Sequence, residues 1–354
     1  MMAAAILTDA MPRIFKFILA NPALALAIGV SAMMAIGLSG VWIYTGSIGN
    51  DFGVYWRTAN LPLQWAYWHG FEYPFPYMPT ALLWIAPLKL TPQWLAFILW
   101  AAVGIFMLIR TCRPYLTRPE LWLLFASPPL MNGLMTGQVS AVMAALMIFG
   151  CGTKNRYAAG IAFGIIASVK PQMVIMVPFF LLLLRDWKAF GAAAATFAML
   201  VAISVSIFGL GAWSDWLASL PEFRFRLIIM DIVGVSPAAV ADHHGLNPIP
   251  FMLFGGAVGA WLVYRCRTLG PVEVAAALAV GSLLAAPYAL NYDLAVVMPF
   301  LVQSIFRGQI TAAVAISGAY PPVPLAIAAF NLARKSKSNI IAAVNHGRYL
   351  GRAN

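Results

Sequence analysis

Residues 164–180 read "GIIASVKPQMVIMVPFF", and Lys170 is the single charge between two apolar runs. A lysine so placed must reach water or an anion, and an ionisable group inside a membrane segment marks a site by default. The plainer role is snorkelling, in which the apolar stem carries the ammonium to the interface. Pro171 breaks the helix there and frees backbone carbonyls, and the N-terminus of the following helix would point its positive dipole end the same way. Lysine and helix end together would make a phosphate seat.

The composition around this stretch sets the class. Of 354 residues, 62% are hydrophobic and 9% charged, with 28 Gly, 24 Pro and 12 Trp, whereas a soluble domain carries about 25% charged residues. The sequence therefore predicts an all-α polytopic membrane protein. Its first apolar run, Phe17 to Tyr44, follows Arg13 and Lys16 and is too long for a signal peptide's apolar region of about 7–15 residues, so it is read as the first transmembrane helix. Further spans are expected at Gln93–Ile109, Leu121–Met131, Ser140–Cys151, Tyr157–Val169, Met173–Leu184, Phe190–Leu210, Pro248–Tyr264, Val272–Ala286, Leu294–Phe306 and Ile310–Phe330. That makes about 10–11 helices, several of them well short of the ~20 residues that cross a bilayer. Short helices broken at "TGQ" (136–138) and "VKPQ" (169–172) are expected to meet at a cavity, because non-helical backbone at membrane depth must be satisfied by protein or water.

The net charge of +11 would suggest nucleic acid in a soluble protein. Here the positive-inside rule explains it better, and no nucleic-acid partner is expected. With the N-terminus inside, the inner loops hold Arg13, Lys16, Arg110, Arg113, Arg118, Lys154, Arg156, Arg185, Lys188, Arg265, Arg267 and Arg307. The outer set holds Arg57, Lys89, Lys170, Arg224 and Arg226. Residues 1–333 are read as one transmembrane domain and 334–354 as a basic tail. Strict parity puts that tail outside, while a break at "GAYPPVP" (318–324) would let the last segment enter and return, restoring an inside tail; both placements stay open. Cys112, Cys151 and Cys266 fall at inner ends, where thiols stay reduced.

Two outer loops are long, Thr45–Pro92 and Gly211–Asn247, so the outer face is where the protein is expected to work. The first opens with "GNDFGVYWRTANLPL" (49–63) and carries Phe52, Tyr55, Trp56, Trp65, Tyr67, Trp68, Phe71, Tyr73, Phe75 and Tyr77. These aromatics form either a wall for sugar rings or a lipid chain, or a headgroup-level belt. Asp51 lies at the outer end of the first span, as a solvated helix-end group or a working carboxylate. Gln138 in "NGLMTGQVS" (132–140) either satisfies a turn or binds substrate. Asn291, Tyr292 and Asp293 also map outside, and Asp293 is equally a helix cap. His243 and His244 in "ADHHGLNP" (241–248) could bind phosphate, donate hydrogen bonds or ligate a metal, but they lack the carboxylate–histidine spacing of a zinc site. The sequence has no GxxxxGK[ST] phosphate loop, Asp-x-Asp pair, GxSxG or HExxH, and no visible pair of similar halves.

In order along the chain, "DFGVYWRTA" (51–59), "YPFPYMPTALLWIAPL" (73–88), "GQVSAVMAALMI" (137–148), "AAGIAFGIIASVKPQMVIMVPFFLLLLRDWKAF" (158–190) and "LAAPYALNYDLAVVMPF" (284–300) resemble glycosyltransferase family 87. The resemblance covers about residues 50 to 300. It implies a GT-C-type membrane enzyme, a hexosyltransferase that takes a sugar, typically mannose, from a polyprenyl-phosphate donor to a lipid or glycan acceptor, with arabinose or another pentose as alternatives. It implies Asp51 as general base, which would remove the acceptor hydroxyl's proton as that oxygen attacks the anomeric carbon, inverting it. Lys170 with Arg57 or His243 and His244 would neutralise the leaving phosphate, and Tyr55, Tyr73, Tyr77, Gln138, Asn291, Tyr292 and Asp293 would line the substrate site. A carboxylate base with a side-chain phosphate seat needs no cofactor or metal. The implied location is a bacterial inner membrane with the site on the outer, periplasmic side. The runner-up is a transporter or flippase for a lipid-linked or anionic substrate, with Asp51, Lys170 and Asp293 as substrate or proton sites; one-sided polar placement argues against it. The short length and the variable region 211–247 leave the acceptor unassigned.

Overall fold

The computed structural model describes residues 18, 20–62, 66–67, 75–229, 234–318 and 321–350, with side chains omitted at 226, 228–229 and 339–350. Among the described residues there is helix and no strand. The helices are α1 Pro22–Thr45, α2 Asn50–Asn60, α3 Pro79–Ile85, α4 Gln93–Cys112, α5 Arg118–Ala126, α6 Pro128–Thr136, α7 Ser140–Gly152, α8 Arg156–Val169, α9 Val177–Leu183, α10 Trp187–Ile229, α11 Pro237–His243, α12 Ile249–Cys266, α13 Pro271–Ala285, α14 Met298–Phe306, α15 Ile310–Ala315 and α16 Val323–Leu350. Among the described residues, four segments are long and apolar enough to cross a membrane: α1, α4, Trp187–Phe225 of α10, and α12. The fold class is the one the composition predicts, an all-α polytopic membrane protein.

Local chemistry sets the boundaries. Asn21 caps α1, accepting from Leu24 N at 3.1 Å, with Pro22 at the first helical position, where its missing N–H costs nothing. The Asn21 amide also donates to the carbonyls of Ile305 and Phe306, which pins the start of α1 to the end of α14. Thr117 and Glu120 form a capping box on α5, satisfying otherwise orphaned N–H groups. Asn155 caps α8 through Tyr157 N and Ala158 N.

Proline divides two segments that were expected as single spans. Leu121–Met131 is two nine-residue helices, α5 and α6, parted at Ser127–Pro128, because a residue before proline is pushed out of the α region. Ile310–Phe330 is α15 and the start of α16, with Pro321 and Pro322 between them. The expected loop 211–247 is largely helical, since α10 continues past a bend at Gly209 (φ 77°) to Ile229.

α13 forms the centre and is buried from Val272 to Ala285, as befits a helix apolar on every side. α12 lies against it through Gly255 and Gly259, and a Cβ on Gly259 would come within 2.7 Å of Gly281 Cα. α8 meets α10 in the same way: a Cβ on Gly160 would reach Ala189 O and Ala192, and one on Gly164 would reach Ala193 O and Thr196. Small residues four apart let membrane helices touch backbone to backbone. Gly259→Val should therefore destabilise the protein by about 1–3 kcal/mol through overpacking, read as a lowered unfolding temperature in detergent. Gly256→Ala on the same helix, whose Cβ would meet nothing closer than Ala285 Cβ at 3.8 Å, should leave that temperature unchanged.

The end of the chain returns to the end of the bundle that carries the inner-loop cations. The tip between α15 and α16 reaches Asn291, whose Nδ2 donates to Gly318 O at 2.8 Å. α16 then runs back until Lys335 pairs with Glu273 at the start of α13, near Arg307, while Ser336 bonds Arg265 O at 2.8 Å. The 333/334 boundary falls inside α16, which is continuous from Val323 to Leu350.

Candidate active site

The opposite end of α13 leads into the site, some 22 Å away by helical rise over 15 residues. Four further chain breaks converge on the one after α13, whose Asn291–Val296 turn carries Tyr292 and Asp293. The first is the turn between α1 and α2, where Gly46 (φ 65°) ends one helix and Gly49 (φ 71°) starts the other, setting Asp51 in the first turn of α2. The second is the turn between α6 and α7. Gly49 N donates to Met135 O at 2.8 Å, and Gly137 (φ 83°) lies so close to α2 that a Cβ on it would stand 2.4 Å from Phe52 Cβ. Gln138 follows Gly137 and faces Asp51, its Nε2 donating to Asp51 Oδ2 at 2.8 Å.

The third is the entry to α3, which presents Tyr77. Its hydroxyl donates to Gln138 Oε1 at 2.7 Å, the Tyr55 hydroxyl donates to the same oxygen at 3.1 Å, and the two phenol oxygens are 2.8 Å apart. Tyr67 OH bonds Tyr77 O, and the Thr80 hydroxyl bonds Ser168 O, tying this entry to the last turn of α8. The fourth is the gap between α8 and α9, where Lys170 caps α8. Its Nζ is 2.6 Å from Asp293 Oδ1, and both side chains are buried, 3% and 1% exposed. The Lys170 ammonium stands 4.7 Å from the ring centre of Tyr292 and 5.7 Å from that of Tyr77, within cation–π reach.

Burial pushes the Asp51 carboxyl above its ordinary range, and the Gln138 and Thr136 side chains and the charge of Lys170 hold part of that rise back. Burial also raises Tyr55 and Tyr77 well above the usual phenol range, so both remain hydroxyl donors. Asp51, Tyr55, Tyr77, Gln138, Lys170, Tyr292 and Asp293 thus form one connected cluster.

Other expected site residues lie differently. Lys170 is at the C-terminal end of α8, where its charge suits the helix dipole. The expected helix N-terminus beyond Pro171 is a single 3-10 turn, Pro171–Val174, followed by the seven-residue α9. One N–H there, that of Met176, is already spent on Ser282 Oγ at 3.0 Å, so the anion seat has no helix-dipole half. Asn291 holds the Gly318 tip. Asp293 accepts from Leu290 N at 2.9 Å through Oδ2, the capping role considered for it, and its other oxygen pairs with Lys170, a contact the sequence did not suggest. Arg57 is half-buried in the last turn of α2. His243 lines a separate cavity of about 220 Å³ with Arg224, Asp242 and Tyr288, and His244 beside it is exposed. Tyr73 lies outside the described residues. Thr136 and Thr80 are absent from the sequence reading; single hydroxyls at helix ends carry no sequence signal of their own.

An apolar groove of about 270 Å³ runs from this cluster between α3, α4, α7 and α8. Tyr55 and Tyr77 form its head, and Trp84, Trp100, Met107, Met143 and Val169 line its length. A larger apolar cavity of about 760 Å³ lies beside α1 and α5. Its described lining carries no ionisable side chain.

The helical membrane body holds a hydrogen-bonded carboxylate just after its first long apolar helix, a buried lysine and an adjoining apolar groove, and one comparison gives the class, a membrane glycosyltransferase. The profile of glycosyltransferase family 87 matches residues 75–287. The chain belongs to that family. No curated protein and no solved structure matches it.

Proposed function

We propose that the protein transfers a hexose, with mannose first in order, from a polyprenyl-phosphate donor to a lipid or glycan acceptor on the outer face of a bacterial inner membrane. The observation that carries this reading is the groove headed by Tyr55 and Tyr77, the two tyrosines that also hold Gln138 against Asp51. An isoprenoid chain lying in the groove brings its phosphate and sugar to the hydroxyl end of those tyrosines.

Asp51 takes the proton from the acceptor hydroxyl as its oxygen bonds to the anomeric carbon. The bond from that carbon to the phosphate oxygen breaks on the opposite face, so configuration inverts and polyprenyl phosphate leaves. Lys170 has three N–H donors, and its pairing with Asp293 does not use them all, so it can face the leaving phosphate without abandoning that partner. Such fixed charge is typically the largest catalytic contribution. Arg57 is the second cation of the proposal. His243 and His244, set in a different cavity, are left out of it, and no divalent ion is required.

The test gives vesicles holding the protein radiolabelled polyprenyl-phosphate mannose with membrane lipids as acceptors. Label moving into a new lipid or glycan supports the reading. Label that crosses the bilayer on an unchanged donor would instead make the protein a transporter.

A further inference from the structure

We propose that Gln138 is the positioning residue of the reaction, its amide gripped by Tyr55 and Tyr77 so that it donates to Asp51 Oδ2, holds that carboxylate ionised and leaves the other oxygen to act on the acceptor. The inference rests on Asp51 being the base.

The geometry fixes the amide at both ends. Gln138 is buried, 7% exposed, and its backbone N–H is bonded to Gly133 O at 2.7 Å. Gly137 before it touches Phe52, which keeps this turn against α2, and Trp100 Nε1 bonds Gly137 O at 3.1 Å. Oε1 receives the two phenol hydroxyls and Nε2 faces Asp51. Were the amide reversed, its oxygen would face a carboxylate oxygen, acceptor against acceptor. That arrangement is tolerable when Asp51 carries a proton to donate. The amide orientation and the charge of Asp51 are therefore coupled, and two O–H donors on Oε1 favour the orientation that suits the ionised acid.

Groups around Asp51 act in the same balance. Lys170 at the end of α8 and the Thr136 hydroxyl favour its charged form, and it interacts with Tyr55 of α2, Tyr77 before α3 and Tyr292 of the Asn291–Val296 turn. Asp293 of that turn, which faces Tyr55 and Tyr77, is paired with Lys170. Gln138 is the group among them that touches the carboxylate and is itself held by two partners.

Gln138→Leu keeps the bulk and removes both hydrogen-bonding ends. Turnover at saturating polyprenyl-phosphate mannose should fall about 10–100-fold, the scale of a displaced reacting group. KM for the donor should stay within about twofold, since an interaction lost mainly in the transition state lowers kcat. The acid limb of the rate should move to higher pH, because a hydrogen bond that favours the charged form is gone. A second readout needs no substrate: infrared titration of the protonated-carboxyl stretch that Asp51→Asn removes should show its midpoint raised in Gln138→Leu. The double variant Tyr55→Phe with Tyr77→Phe keeps the rings and deletes the two donors, and it should shift rate and midpoint the same way. It decides the matter if the leucine variant does not fold. Wild-type turnover with an unmoved midpoint in these variants, while Asp51→Asn is inactive, overturns the role of Gln138 and leaves Asp51 standing. An active Asp51→Asn overturns the base itself.

Discussion

Asp51→Asn lowers transfer about 10²–10⁴-fold, the usual contribution of a positioned general base. The amide is nearly the size of the carboxylate and still offers an oxygen to Gln138 Nε2, so the cluster keeps its shape while losing the ability to take a proton. Donor binding should persist, because the groove below Tyr55 and Tyr77 is untouched. In the wild type the sign of the pH dependence is set by burial, which disfavours the charged form and lifts Asp51 above the ordinary 3.8. A base must be ionised, so the rate should rise with pH through a midpoint above that value and then level. Hydrogen bonds and the nearby Lys170 limit the rise. An Asp51→Asn protein that transfers label at the wild-type rate, or an acid limb at the value of an exposed aspartate, would remove Asp51 as the base.

Most of the spans were legible because each is an apolar run closed by punctuation that acts locally, and the exceptions are the two that proline divides. Asn21–Pro22, Thr117–Arg118–Pro119–Glu120 and Asn155 start helices, and Gly46 and Gly137 end them in left-handed turns. The site residues were legible one at a time, since an acid or a lysine in so apolar a chain needs a reason. Their pairing was not. Lys170 and Asp293 are 123 positions apart and Asp51 and Gln138 are 87 apart, and nothing local says which charge meets which. The helix expected directly beyond Pro171 belongs with these: "VKPQ" announces a break, and nothing in it says that a 3-10 turn, Pro171–Val174, follows. His243 and His244 were grouped with Lys170 because both lie on the outer side in sequence, and three-dimensional packing sets His243 in another cavity.

The Lys170–Asp293 pair supplies the second large effect, and it separates structure from chemistry. Both groups are almost wholly removed from solvent, so each is tolerated because of the other. Lys170→Met strands the Asp293 carboxylate with Leu290 N as its remaining partner. Removing one member of a buried pair typically costs about 3–5 kcal/mol, because the other charge is left uncompensated. Asp293→Leu strands the ammonium between the rings of Tyr77 and Tyr292 and should cost a similar amount. It also removes the cap of the Asn291–Val296 turn. Changing both residues, Lys170→Met with Asp293→Leu, takes away both desolvation penalties, and the double variant should be more stable than either single one, a non-additivity expected of residues in contact. Unfolding in detergent measures this directly. Transfer should not return with stability, since a methionine cannot meet the leaving phosphate: the double variant should fold and stay at least about 10²-fold slower, the scale of losing one electrostatic donor. A double variant that regains both stability and the wild-type rate would make the pair purely architectural, and the charge facing the phosphate would then have to come from Arg57.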